Sequence, residues 1–317
     1  MAVISTKRGE RIKLDLYDKK IMFYLSQNSR IPLTNLAKEL KLSPQRVKYK
    51  VERLKKEILS PAMFLNFPLL EISSYMIFIP KLNEEEIENL FYNESIYFIL
   101  QSIGEFQWVL NLITEDIETF CKKNLGNTHF LIKPIIHVYA DNYNPFHLDI
   151  KPLSEKKDIK IRLDEKDYSI LKELSRDPTL SLLDLQKKTN IDRQTIKQRM
   201  KKIEASNIIQ KFRYSINLFK IGFITYLLDI ETKPLMKEKV LRAIKQNHYS
   251  GFVFENLIGF SMHFLPKDQE ELFEFIKSLE KVDPQIKITI LQNTEKFKVD
   301  LVPKNIERIF EKRSTKL

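Results

Sequence analysis

Gln45, Arg46, Lys48, Tyr49, Lys50 and Arg53 crowd into one stretch, Leu42 to Ile58, and their side chains suit recognition by hydrogen bonds and charge. A glutamine amide sets a donor beside an acceptor, as an adenine edge requires, and an arginine fork matches the two acceptors of guanine. Lysines and further arginines hold phosphates and position the reader without choosing a sequence. The chemistry on offer is therefore contact with a polyanion, and no bond making is implied. The same pattern returns 149 residues later, where Gln194, Thr195, Lys197, Gln198, Arg199 and Lys202 occupy the matching positions.

These residues need a helix to present them. Ser43 is a good N-cap, and Pro44 fits the first turn, where its missing N–H costs nothing. Val47, Val51, Leu54 and Ile58 then follow the spacing of a buried stripe, leaving Gln45, Arg46, Tyr49, Arg53 and Lys56 on the other face and Lys48 and Lys50 at its flanks. A lysine-rich helix face is often merely solvated. The repetition argues otherwise, because it preserves a whole module. Without gaps, Leu14-Asp15 superposes on Leu163-Asp164, Asp18 on Asp167, Ile21 on Ile170, Leu36 on Leu185, Gln45 on Gln194, Lys48 on Lys197 and Leu54 on Ile203. Apolar positions match in type while polar ones drift, as a retained packing pattern requires.

Each copy predicts three short helices, 16–28, 33–40 and 44–57 in the first and 165–176, 182–189 and 193–205 in the second. The last two of each set are joined by a short turn, a helix-turn-helix. Downstream, the first copy alternates as a strand over 74–80, a helix over 83–93, strands over 96–103 and 106–113, a helix over 116–123 and a strand over 130–139. The second repeats this order over 223–231, 234–246, 251–258, 260–265, 268–280 and 286–293. The expected class is α+β: two tandem units, each a winged or trihelical helix-turn-helix followed by a ferredoxin-like βαββαβ sandwich. The expected domains are 10–60, 61–143, a linker at 144–162, 163–210, 211–303 and a basic, frayed tail at 304–317.

The chain carries a net charge of +11, with pI ≈ 9.3, which favours a polyanionic partner. The charge is segregated. Residues 11–59 hold 13 Lys and Arg against 5 Asp and Glu, residues 73–150 hold 4 against 11, and residues 160–208 hold 12 against 8. No apolar run approaches a membrane span, the first residues lack a signal core, and the single Cys121 fits a reducing cytoplasm. His129, His137, His147, His248 and His263 lack metal-ligand spacing, and the six glycines form no phosphate-binding loop. No catalytic residue, metal site or cofactor is therefore assigned.

The order of a trihelical helix-turn-helix, a hinge strand and a βαββαβ domain resembles the Lrp/AsnC (feast/famine) transcription regulators. The residues that carry this are Leu14 to Ile21, Asn28 to Ile31 and Leu36 to Ser43, and, in the second copy, Ile208 to Tyr214 and Lys220 to Phe223. The resemblance implies double-stranded DNA as partner and dimers or higher homo-oligomers built through the sandwich domains, or a pseudo-dimer within one chain. It would place effector contacts around Gly104, Gln107 and Gly259. Here the family's Gly-x-x-acid pattern reads Gly104-Glu105-Phe106-Gln107 and Gly259-Phe260-Ser261-Met262, without the acid, and the turn before the recognition helix has Lys41 and Asn190 in place of glycine. The leading expectation is a sequence-specific regulator with two non-identical recognition helices. The alternatives are a low-specificity architectural DNA binder and a siroheme-decarboxylase-like enzyme. Against the enzyme, Gln210-Lys211-Phe212-Arg213-Tyr214 stands where an Arg-Arg-Phe-Gly signature is looked for.

Overall fold

The computed structural model describes residues 3–5, 12–126, 128–139, 144–146, 148, 158–247, 250–300 and 302–314. The expected linker lies largely outside the described residues, as do His147 and His248. After a short strand β1 (Val3–Ser5), the first module is α1 (Leu16–Gln27), α2 (Leu33–Leu40) and α3 (Pro44–Glu57). Then follow β2 (Leu59–Leu65), β3 (Ser74–Ile79), α4 (Glu84–Tyr92), β4 (Ile96–Ile103), β5 (Trp108–Ile113), α5 (Ile117–Asn124), β6 (Leu131–Pro134) and β7 (His137–Tyr139). The second copy comprises α6 (Glu165–Arg176), α7 (Leu182–Thr189), α8 (Arg193–Ala205), β8 (Ile209–Ile216), β9 (Tyr226–Glu231), α9 (Lys237–Gln246), β10 (Ser250–Glu255), β11 (Gly259–Phe264), α10 (Gln269–Val282), β12 (Lys287–Val299) and α11 (Ile306–Ser314).

Local chemistry accounts for the helix ends. Asp15 with Asp18, Asp164 with Asp167 and Ser181 with Asp184 form reciprocal capping boxes, while Ser43 and Asp192 cap the third helix of each module. Lys41 and Asn190 take the left-handed conformation that ends the second helix, at φ 54° and 56°. Asparagine accepts this readily; lysine does so at a cost of roughly 1 kcal/mol.

The two sandwich domains pair within the chain. Their strands run in the order β6-β3-β5-β4-β12-β9-β11-β10-β7, which begins and ends on the single segment 131–139, so the sheet folds back on itself. Each half lends its last strand to the other. β12 pairs with β9 from Lys287 to Gln292 and with β4 from Gln292 onward, across a register shift between Asn293 and Phe297. The predicted strand at 130–139 is divided for the same reason: β6 pairs with β3 of its own half and β7 with β10 of the other. Met76, Phe78, Val109, Leu227, Phe254 and Leu291 pack between the two halves, and α4, α5, α9 and α10 cover apolar cores of their own.

A charged group is sealed inside this closed sheet. Lys133 of β6 sits 2.6 Å from Asp229 of β9, and Ser261 of β11 donates to the same carboxylate over 2.7 Å. All three are almost completely buried. A hydroxyl and an ammonium together satisfy a carboxylate that could not be buried alone.

Above the barrel, β2 and β8 form a separate antiparallel ribbon, with Leu59 opposite Ile216 and Leu65 opposite Ile209. Each strand leaves the last helix of one module, so the ribbon couples both modules directly. Arg30 adds a second tie. Its guanidinium lies 3.9 Å from the centre of the Phe212 ring and donates to the carbonyls of Pro178 and Leu180 in the second module. The tail expected to fray is instead the helix α11, with Ile306 and Phe310 buried against the core of the second module and Glu307 and Glu311 paired to Arg176 and Lys172.

Between ribbon and barrel, His263 sits edge-on to Phe98 at 5.0 Å and close to Phe252 and Phe254. Burial in this aromatic setting pushes its imidazole down to about 4. A base with a lowered folded pKa favours folding when neutral, so its contribution is complete above about pH 6.5 and is lost as pH falls toward 4. Unfolding curves across this window should lose about 3 kcal/mol. H263F should flatten this part of the profile, whereas an unchanged slope would assign it to other groups.

Candidate nucleic-acid interface

The third helix of each module presents a polar face to solvent. On α3, Gln45, Arg46, Lys48 and Tyr49 are exposed, Tyr49 at 71% of its full surface. Val47, Val51 and Leu54 fill the core of the module beneath them. On α8, Gln194, Lys197, Gln198 and Lys202 are exposed and Thr195 is half-buried, over Ile196, Met200 and Ile203. The N-terminal turns therefore carry different hydrogen-bonding groups over equivalent apolar backs. Arg46 also lies 5.6 Å from the centre of the Tyr17 ring on α1, a contact that steadies its long side chain.

Three of the expected backbone-contact residues have another employment. Lys50 is buried, with its ammonium 2.6 Å from Asp15 and 2.9 Å from Asp18. Burial alone would push it down, but the two carboxylates hold it above the ordinary lysine value. Arg53 reaches Asp18 at 2.6 Å. Arg199, the counterpart of Lys50, lies 2.6 Å from Asp164 and 2.9 Å from Asp167, and these hydrogen bonds hold it above the ordinary arginine value despite partial burial. Lys202 stays exposed but lies 3.8 Å from Asp167. In each module, then, the first helix lends its capping acids to anchor the third. Lys50, expected to contact the nucleic-acid backbone, instead fixes the angle of the helix.

Two exposed cations on α8 escape the sequence reading. Arg193 occupies the position of Pro44, and Lys201 that of Glu52. Matching the copies for shared residues passes over both, because they are gains of charge unique to the second copy. Their signal lies in the substitution itself, an acid and an apolar ring both replaced by cations.

Gly104 and Gly259, expected near an effector, are held by packing. A Cβ on Gly259 would lie 1.9 Å from the Ile230 carbonyl oxygen, and one on Gly104, where φ is +142°, would lie 2.8 Å from Leu291. These glycines allow strands to approach one another, which is a structural reason for their presence. Gln107 makes backbone hydrogen bonds to Ser102 and Pro80 between the strands.

Residues 14–57 and 163–210 each match the family model for winged helix-turn-helix DNA-binding domains. An HTH-type transcriptional regulator from Pyrococcus furiosus is 28% identical over 126 residues, covering 39% of this chain and 85% of that protein. Transcriptional regulator AzlB of Bacillus subtilis is 30% identical over 145 residues, covering 43% of this chain and 92% of its own length. HTH-type regulator LrpA of Pyrococcus horikoshii is 27% identical over 143 residues, 43% of this chain and 99% of that one. Each of these relatives covers 39% to 43% of this chain. Among solved structures, the siroheme decarboxylase NirDL superposes with a TM-score of 0.57 over 95% of this chain and 99% of its own, at 13% identity, a likeness of fold.

Proposed function

The chain belongs to the Lrp/AsnC family of DNA-binding transcription regulators, two of whose units it joins in tandem, and from that premise we propose that one chain reads two unlike half-sites with α3 and α8. The observation that carries the proposal is the pairing of sheets and ribbon inside the chain, which holds both recognition helices in one body. Gln45, Arg46 and Tyr49 contact base edges for the first module, and Gln194, Thr195 and Gln198 for the second. Lys48 and Lys197, with Arg193, Lys201 and Lys202, supply phosphate contacts. The chain is its own pseudo-dimer and acts without catalysis.

Selection of bound sequences from a random duplex pool tests this directly. The expected result is a site with two different halves, bound by one chain. A strictly symmetric consensus would sink the proposal, and equal affinity for unselected DNA would favour an architectural role. With roughly six phosphates engaged, affinity should fall about a thousandfold between about 50 and 200 mM salt. R46A should relax preference at one position by about 1–3 kcal/mol, while K48A should weaken all sequences alike and make the salt slope shallower.

The overall likeness to NirDL supports a second reading, decarboxylation of a tetrapyrrole on the same fold. Incubation with such a tetrapyrrole separates the two. A saturable change in its visible spectrum, followed by release of carbon dioxide, would establish the enzyme.

A further inference from the structure

A cavity of ≈ 210 Å³ lies between the β2–β8 ribbon and the barrel, lined by both copies. A cavity of about 150 Å³ already accepts benzene, so an aromatic ring with a short substituent fits here. The walls suit a flat ring: Phe98 and Phe252 flank His263, whose lowered pKa keeps it neutral. Arg213, on the ribbon strand β8, lines the same space with its guanidinium 4.8 Å from the Phe252 ring centre. Asp300, the acid on the lining, lies 4.0 Å from Lys298.

The polar atoms of the lining are unusual. Asn111 is 1% exposed, yet among the described residues no group meets full hydrogen-bonding geometry with its amide nitrogen or its amide oxygen. Tyr97 stands beside it, a phenol pushed up to about 12 by burial although the neighbouring Ser74 and Asn111 side chains draw it back down. Asn217 Nδ2 and Asn293 Oδ1 are likewise buried without partners. Leaving such groups unsatisfied is costly, and each calls for a partner. Apolar packing would have left none of them there.

We propose that this cavity is a binding site for a small aromatic carboxylate, its ring between the phenylalanines and its carboxylate taken by Asn111 with the positive charge of Arg213. The roof of the site is the ribbon that carries both modules, so the ligand contacts the element that sets their separation. The site goes beyond the DNA-reading assignment and can be tested with no DNA present.

Phenylacetate serves as probe on the full chain, measured by titration calorimetry, with phenylacetamide as its uncharged counterpart. Saturable one-to-one binding is expected, weaker by about tenfold for phenylacetamide and by about tenfold for N111L, as loss of a charge-assisted hydrogen bond requires. On the unaltered chain, phenylacetate should also shift the His263 ring-proton resonances, a readout that stands even where N111L fails to fold. No saturable binding at millimolar concentration overturns the proposal. So does binding that leaves the His263 resonances unmoved, or that a folded N111L retains in full.

Discussion

D18A should lower the unfolding free energy of the first module by about 3 kcal/mol. Asp18 is 1% exposed and carries three duties at once. It completes the capping box of α1, accepts from the Lys50 ammonium at 2.9 Å and faces the Arg53 guanidinium at 2.6 Å. Its removal leaves Lys50, itself buried, with Asp15 alone as counter-charge. Breaking a buried pair by deleting one partner costs more than deleting both, since it strands a charge away from water. The double variant D18A/K50M should therefore recover a large part of the loss, as urea unfolding would show. D167A should cost less, because Arg199 keeps more contact with solvent than Lys50 does. Equal losses in the two modules would contradict the role given to burial.

K133M should be as damaging, by about 3–5 kcal/mol, and should act on the pairing of the two halves. The substitution keeps the volume but leaves the Asp229 carboxylate inside the closed sheet with, among the described residues, the Ser261 hydroxyl directed at it. Lys133 and Asp229 come from different copies, so the stranded charge opposes their closure. Pairing K133M with D229L should restore most of the stability, because well-packed apolar residues can replace a buried pair without loss. Thermal unfolding checks both variants. A loss below about 1 kcal/mol for K133M would mean that water reaches the site and screens the charge.

The six helices of the two modules were legible because their signals are local. Asp15, Ser43, Asp164, Ser181 and Asp192 each accept from a backbone N–H three residues on, and apolar spacing does the rest. The strands of both sandwiches were legible in position but not in partnership. Nothing near 131–139 announces that its ends pair with different halves of the chain, since that depends on which edges the remote copy leaves open. Tail residues 304–317 were read by charge, while the spacing of Ile306 and Phe310, four residues apart on one helix face, went unused.

On the interface itself, the exposed face of α3 followed from the helical wheel, but the inward turn of Lys50 did not. A wheel places a side chain at a flank and cannot know that two carboxylates from 35 and 32 residues earlier lie within its reach. The repeat held a clue. Lys50 and Arg199 match at the same offset that aligns Asp15 and Asp18 with Asp164 and Asp167. A cation preserved together with its acids suits an anchor, whereas a difference such as Arg46 against Thr195 is what the proposed reading of two unlike half-sites requires.

Joining the two copies in one closed sheet also removes a degeneracy. A dimer of identical subunits on DNA looks the same when turned end for end, so it cannot mark a direction along the duplex. Here one end carries α3 and the other α8, and the halves exchange strands within the chain. On the proposed reading, a bound chain points one way. If one chain reads both half-sites as proposed, occupancy should rise with the first power of its concentration, and whatever stands upstream or downstream of the site would meet a different face of the protein.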